Sequence, residues 1–364
     1  MPEPGQDRAV TSALFTPLTL RGTTFANRVM VSPMCQYSSV AGLANSWHLV
    51  HLGGLATGGA GLVFSEATAV TTEGRISPED LGLWSDSHGE TIAPIVDFVH
   101  QQGTLFGIQL AHAGRKGSTF APWRGHGSVP PDAGGWQALA PSAHAYGNYA
   151  IPRAMSEADL AHTLDGFVAA TVRAAELGVD VIEVHAAHGY LLHQFLSPLS
   201  NLRTDSYGGD LAGRMSFPLQ VVAAVRAAWP ADRPLFLRVS ATDWVDGGWD
   251  IESTVVFARA AAEQGVDLVD VSSAGLDAAQ KITVGPGYQV PFAAVLRAQA
   301  GVRTGAVGMI TEPGQAEQII SEGSADVVLL ARALLREPRW PLRAAHELGA
   351  TGHWPPQYER AQLR

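Results

Sequence analysis

The sequence predicts an α/β fold, a single (β/α)8 TIM barrel, and three observations carry that prediction. Eight short β-branched or apolar runs alternate strictly with eight longer, alanine-rich amphipathic runs. Gly103, Gly178, Gly265 and Gly323 each stand between a helical run and the next strand, the place of a helix-terminating glycine. Neither G-x-G-x-x-G nor G-x-x-x-x-G-K-[ST] occurs, so a doubly wound sheet would lack its defining phosphate turn. A chain of 364 residues allows two or three domains by length, but a barrel accommodates 1–364 as one.

The elements follow in order. Strand 28–33 precedes helix 48–57, then 61–67 precedes 88–102, 105–110 precedes 157–177, and 180–185 precedes 217–228. In the second half 235–240 precedes 251–264, 267–272 precedes 292–300, 306–310 precedes 312–322, and 326–331 precedes 340–348. Ser156 before Ala158-Asp159 and Thr311 before Glu312-Pro313 read as helix starts. The cluster Gly53, Gly54, Gly58, Gly59 and Gly61 precedes a strand and has the wrong spacing for a dinucleotide turn. Only 114–152 breaks the rhythm, being rich in Gly, Pro, Ser and Trp without helical period. It follows the third strand and so belongs at the barrel's carboxyl end, where it is expected as a lid or binding wall. A merely structural excursion is the alternative.

Composition removes several function classes. Hydrophobic residues make up 46% and charged residues 16%, which excludes a disordered chain. A net charge of −10 without a basic run argues against nucleic acid or an anionic membrane as partner. No apolar stretch is long enough to cross a bilayer, and residues 1–14 lack a basic start followed by an apolar run. The expectation is a soluble cytoplasmic protein. Cys35 has no intrachain partner, so there is no disulfide framework. Lys116 and Lys281 are the only lysines, and neither ends a strand, which argues against Schiff-base chemistry.

Strand parity then locates polar residues inside the barrel. Ile182 and Val184 share one face while Glu183 and His185 share the other; Leu237 and Val239 oppose Arg238, and Ile108 and Leu110 oppose Gln109. The helix-facing side must be apolar, so Glu183, His185, Arg238 and Gln109 point inward. Buried charge needs a partner, so these groups meet one another, as in a Glu183–Arg238 pair, or a polar ligand at the mouth.

The segment His185-Ala-Ala-His188-Gly189-Tyr190 ends the fourth strand. Two imidazoles there can polarise an oxygen atom and a phenol can deliver a proton. Metal binding is disfavoured, because the spacing lacks the helical H-E-x-x-H pattern and no H-x-H ends the first strand. The first strand ends Ser32-Pro33-Met34-Cys35-Gln36-Tyr37, bringing a thiol and a second phenol to the same mouth. Taken alone, Cys35 reads as a small buried hydrophobe. Gly308 in the seventh strand and Arg332 at the end of the eighth fit the phosphate site that barrels carry there, for a phosphorylated substrate or a cofactor tail.

These motifs resemble the Old Yellow Enzyme family of FMN-dependent ene-reductases, in its thermophilic-like and xenobiotic-reductase branch. The resemblance runs from Leu14-Phe15-Thr16-Pro17 to Gln357-Tyr358-Glu359-Arg360. It is most specific at Ser32-Pro33-Met34-Cys35, at Gly107-Ile108-Gln109-Leu110-Ala111-His112-Ala113-Gly114-Arg115, at His185–Tyr190, and at Phe195-Leu196-Ser197-Pro198 with Asn201 and Arg203-Thr204-Asp205. The resemblance implies FMN across the barrel mouth. Pro33, Met34, Cys35 and Ala67 would line the flavin, Gln109 would bond its pyrimidine edge, and Arg238 would sit near N1. Gly308, Ala331 and Arg332 would hold the phosphate. His185 and His188 would bind the substrate oxygen, Tyr190 would donate the proton, and Tyr37 would assist.

The implied activity is reduction of an activated alkene, conjugated to a carbonyl or nitro group, by NAD(P)H, with NADPH favoured and ping-pong kinetics. Cys35, where other branches carry threonine, would tune the flavin's redox poise. Two departures bear on this. Ala331-Arg332 replaces a common Gly-Arg, which matters only if that backbone needs a positive φ. Arg360, in the tail 349–364, would reach a neighbouring subunit's site, implying a homodimer or homotetramer. The rival readings are a (β/α)8 aldolase or isomerase acting on a phosphorylated substrate, and a flavin-binding protein without turnover.

Overall fold

The structure, a computed structural model, describes residues 12–363. Eight parallel strands close into a barrel in chain order: Val29–Val31, Leu62–Ala69, Leu105–Ala111, Val181–Ala186, Leu235–Ser240, Leu268–Ser272, Thr304–Ala306 and Val327–Leu330. The eighth pairs with the first, Val328 opposite Val29, leaving no exposed edge. Between and after the strands run Ser46–Ala56, Asp86–Gln101, Glu157–Glu176, Leu211–Ala228, Ile251–Glu263, Val290–Ala300, Pro313–Ser321 and Trp340–Glu347. The (β/α)8 class is therefore borne out. Most of the segment on which the absent leader was read, residues 1–11, lies outside the described residues.

Local chemistry accounts for the element ends. Ser156 caps the third helix by a reciprocal box with Asp159. Gly103, Gly178, Gly265 and Gly323 all have positive φ just beyond a helix, as expected of terminators. Among the boundaries that differ from expectation, three bear on the local chemistry. The fourth helix starts at Leu211 rather than 217, capped by Asp210, because Gly213 and Pro218 mask its helical period. The cap before Pro313 is Glu312 rather than Thr311. The seventh strand is Thr304–Ala306 rather than 306–310, so Gly308 and Met309 lie in the turn beyond it. Its Gly305 faces Leu329, where a methyl group would come within 2.4 Å, so a side-chain-free position hid a buried strand.

Parity separates two cores. Val29, Val31, Ile108, Leu110, Ile182, Val184, Leu237 and Val239 face the helices. Met30, Leu62, Phe64, Val181, Phe236, Leu268 and Leu329 fill the barrel floor. An antiparallel hairpin not expected from the sequence, Leu18–Leu20 with Thr23–Phe25, closes the amino end; its Phe25 ring lies 6.1 Å from that of Phe236. This apolar plug leaves only the carboxyl mouth for polar chemistry.

Candidate active site

Above the floor the inward face becomes polar. Strand register sets Gln109 beside Glu183, His185 beside Arg238, and Arg238 beside Asp270. Gln109 Nε2 donates to Glu183 Oε1 at 2.7 Å, while Arg238 donates through Nη2 to Ser32 Oγ at 3.0 Å. The ion-pair partner of Arg238 is Asp270, with Nε 2.9 Å from Oδ2, rather than Glu183. Asp270 went unremarked in the sequence, although the alternation Leu268, Asp270, Ser272 marks it as inward. Burial, reinforced by Asp270, pushes the Glu183 carboxyl up to about 8 against the pull of Arg238 and Gln109.

The fourth strand delivers the predicted triplet as one cluster. The His185 ring lies 5.2 Å from that of His188 and 5.1 Å from that of Tyr190, both edge-on. The intervening turn is tight: His188 has φ +58° and Gly189 φ +70°, and a methyl group on Gly189 would sit 2.1 Å from the Gly275 carbonyl oxygen. Side chains beneath hold it. Gly189 N donates to His193 Nδ1 at 2.9 Å, and His193 rests 2.9 Å from the buried Asp243. His188 N donates to Ser240 Oγ at 2.9 Å, and His188 Nε2 lies 2.7 Å from Ser272 Oγ. His185 Nδ1 is buried without a hydrogen-bond partner among the described residues.

Burial and then the Arg238 charge hold both imidazoles well below their ordinary range, so they are neutral. Burial, with Cys35 and Tyr37 nearby, holds the Tyr190 phenol well above its own, so it keeps its proton. No cluster of three potential metal ligands occurs among the described residues.

Opposite stand Cys35 and Tyr37, packed with Tyr190 against Ala67, Ile76, Ala111 and Ala113. Pro33 and Met34 precede them, Met34 leaning on the outer core. Burial, Asp80 and Glu66 push the Cys35 thiol well up, so it stays protonated. Glu66 accepts from Gln36 N at 3.0 Å and lies 3.2 Å from His48 Nε2. Alternation could not reveal Glu66, because the second strand's register shifts between Phe64 and Ala67.

The 114–152 segment forms one wall. Trp123 meets Tyr37 edge-on at 5.7 Å, and buried Arg115 donates to the carbonyls of His144, Ala145 and Leu276. Lys116, set aside because it ends no strand, lies on the single turn Gly114–Lys116, and its ammonium reaches the mouth 5.0 Å from the Tyr190 ring centroid. Lys116 ends no strand, as expected, and the turn after the third strand rather than a strand end directs its amine.

A pocket of about 200 Å³ opens between the seventh and eighth strands, lined by Gly308, Ala331, Arg332 and Arg336 among others. Gly308 has φ +112°, and a methyl group on it would come within 2.5 Å of Gln289 Nε2. Ala331 has φ −114°, so its alanine breaks no backbone requirement. Arg332 is exposed and has no salt-bridge partner among the described residues. Arg360 is exposed on the terminal turn Pro356–Ala361.

The carboxyl mouth of the barrel thus holds two neutral imidazoles and a protonated phenol, and a pocket lined by Gly308 and Arg332 opens between its seventh and eighth strands. The profile of the NADH:flavin oxidoreductase / NADH oxidase family matches residues 13–350. NADPH dehydrogenase of Geobacillus sp. (strain WCH70) is 46% identical over 350 residues, covering 95% of this chain and 98% of that protein. NADPH dehydrogenase of Bacillus subtilis (strain 168) is likewise 46% identical with the same coverage. Morphinone reductase superposes with a TM-score of 0.78 at 26% identity, over 95% of this chain and 92% of the other.

The chain belongs to the NADH:flavin oxidoreductase / NADH oxidase family, and the Old Yellow Enzyme resemblance of its motifs is borne out. It is an FMN-dependent oxidoreductase with a nicotinamide reductant, which displaces the aldolase and isomerase reading. The residues fit FMN. The Gly308–Arg332 pocket suits a phosphate, and Gln109 commits its amide donor to Glu183, leaving its carbonyl for a ring N–H.

Proposed function

We propose that the chain reduces the C=C bond of α,β-unsaturated carbonyl or nitro compounds, with NADPH as the favoured reductant. The observation that carries this reading is the neutral His185 imidazole flanked by the neutral His188 imidazole at 5.2 Å and the protonated Tyr190 phenol at 5.1 Å. Bound FMN supplies hydride transfer, from the reductant and on to the alkene β-carbon. Pro33, Met34, Cys35, Ala67, Gln109 and Arg238 would hold its ring, and Gly308, Ala331 and Arg332 its phosphate.

The protein's own groups do the rest. His185 and His188 each donate one hydrogen bond to the carbonyl or nitro oxygen, stabilising the negative charge that builds there. Neutral imidazoles suit this role, since each carries one N–H donor. Tyr190 keeps its proton in the resting site and passes it to the α-carbon, and Tyr37 flanks the same space. One mouth serves both reductant and oxidant, so the two exclude each other and kinetics are ping-pong.

The relatives named NADPH dehydrogenase support the choice of reductant. The proposal extends to a homodimer or homotetramer in which Arg360, exposed on the terminal turn, completes a neighbouring site. No described helix is long and apolar enough to cross a membrane, in keeping with a cytoplasmic enzyme.

Stopped-flow measurement of the two half-reactions tests the proposal. Tyr190→Phe slows reoxidation by 2-cyclohexenone about 100-fold, the low end of what a general acid contributes, and leaves reduction by NADPH within twofold. Equal losses in both half-reactions, or none in either, overturn the role of Tyr190.

A further inference from the structure

The Lys116 ammonium group stands over the Tyr190 ring, and nothing in the proposed reaction uses it. Its Nζ donates to the backbone carbonyls of His188, at 2.8 Å, and Gly275, at 3.0 Å. It thereby ties the histidine turn after the fourth strand to the loop after the sixth. The same nitrogen stands 5.0 Å from the Tyr190 ring centroid and 4.8 Å from that of Tyr146. Tyr146 belongs to the 114–152 excursion, so one cation touches the excursion, the histidine turn and the phenol.

We propose that Lys116 is a positioning residue that holds the His188–Gly189 turn and stabilises the Tyr190 phenolate left after proton transfer. The inference rests on Tyr190 being the proton donor. In that step the phenol O–H bond breaks, the Cα–H bond forms, and the negative charge stays on the tyrosine until a solvent proton returns. A cation over the ring lowers the energy of that anion and loses most of this effect when it is neutral. The carbonyls it binds impose the second role: without the ammonium, His188 O and Gly275 O lose their donor, beside a turn already at positive φ.

Burial, with Arg115 adding like charge and Cys35 opposing, lowers the Lys116 ammonium to about 8. The groups facing it are Arg115 on its own turn, Cys35 from the first strand's loop, Tyr146 from the excursion, and His185, His188 and Tyr190 from the fourth strand. Of these the imidazoles and phenols are neutral at pH 7, so Lys116 titrates as the switchable charge.

Stopped-flow reoxidation by 2-cyclohexenone, from pH 6 to 10, tests this on the FMN-loaded enzyme. In the unmodified enzyme the rate falls above about pH 8. Lys116→Met lowers the neutral-pH rate about tenfold, the worth of a partly desolvated cation–π contact, and abolishes the alkaline limb. Reduction by NADPH stays within threefold, and Lys116→Arg restores the rate while moving the limb beyond pH 10. Binding of 4-hydroxybenzaldehyde, read as a flavin absorbance change, weakens in Lys116→Met if the turn has relaxed.

An unchanged reoxidation rate and pH limb in Lys116→Met, with Tyr190→Phe impaired, overturns the role of Lys116. Unchanged reoxidation in Tyr190→Phe overturns the reading beneath it instead. Should Lys116→Met fail to retain FMN, Lys116→Arg decides: an alkaline limb still at pH 8 in that variant rejects the proposal.

Discussion

Gly308→Ala is expected to weaken FMN binding sharply, and the cost can be worked from the pocket. Gly308 has φ +112°, a conformation that costs a side-chain-bearing residue about 1–3 kcal/mol. The new methyl would lie 2.5 Å from Gln289 Nε2 and 3.1 Å from Tyr288 Cε1. Gln289 cannot yield cheaply: it is buried, donates to Val307 O at 3.0 Å and accepts from Ser273 Oγ. Breaking two neutral hydrogen bonds costs about 1 kcal/mol each. The loop instead relaxes outward, and returning it to accept a phosphate costs about 2–4 kcal/mol, or roughly 30- to 1000-fold in affinity. Titrating apoprotein with FMN and following fluorescence quenching measures this directly. A dissociation constant within threefold of the unmodified protein refutes the assignment of this turn to the phosphate. Riboflavin, lacking the phosphate, loses far less affinity in the same variant.

Two further outcomes follow from buried carboxyls. Burial raises Glu183 and Asp80 to about 8 in the folded chain, so folding takes up protons between the ordinary carboxyl range and pH 8. Their contribution is complete below the unfolded pKa and is lost as pH rises to the folded one. The urea midpoint of apoprotein therefore falls from pH 5 to pH 8, and Glu183→Gln shallows that slope; equal slopes in both proteins contradict it. Asp243→Ala removes the acceptor of Ser197 Oγ at 2.6 Å and Trp249 N at 2.7 Å, and the carboxylate beside His193. A loss of about 3 kcal/mol or more is expected by urea unfolding at pH 7, and a loss below 1 kcal/mol contradicts this account.

The two outcomes for the inward residues show where sequence reading stops. Gln109, Glu183, His185 and Arg238 were legible, because one apolar face per strand leaves the other face for polar groups. Their partners were harder. Asp270 followed the same parity and was available to it, whereas Glu66 sits where a register shift suspends alternation. The direction of the Lys116 amine was not legible, because a side chain on an irregular turn carries no periodic signal of its direction. The amino-terminal hairpin was missed for a related reason: three-residue strands are too short to show a period.

Hydrophobic periodicity, glycine stops and a missing dinucleotide turn were enough by themselves to determine the barrel and its inward polar face. Those are properties of repeating local geometry, which the order of residues encodes directly. Only the tertiary structure decided that Arg238 pairs with Asp270, that Asp243 and His193 brace the histidine turn, and that Lys116 stands over Tyr190. Such contacts join strands and loops far apart in the chain, by 159 residues between Lys116 and Gly275 and 206 between Ser32 and Arg238, and burial then decides each group's protonation. Both depend on which segments closure of the barrel brings together, which no local pattern contains.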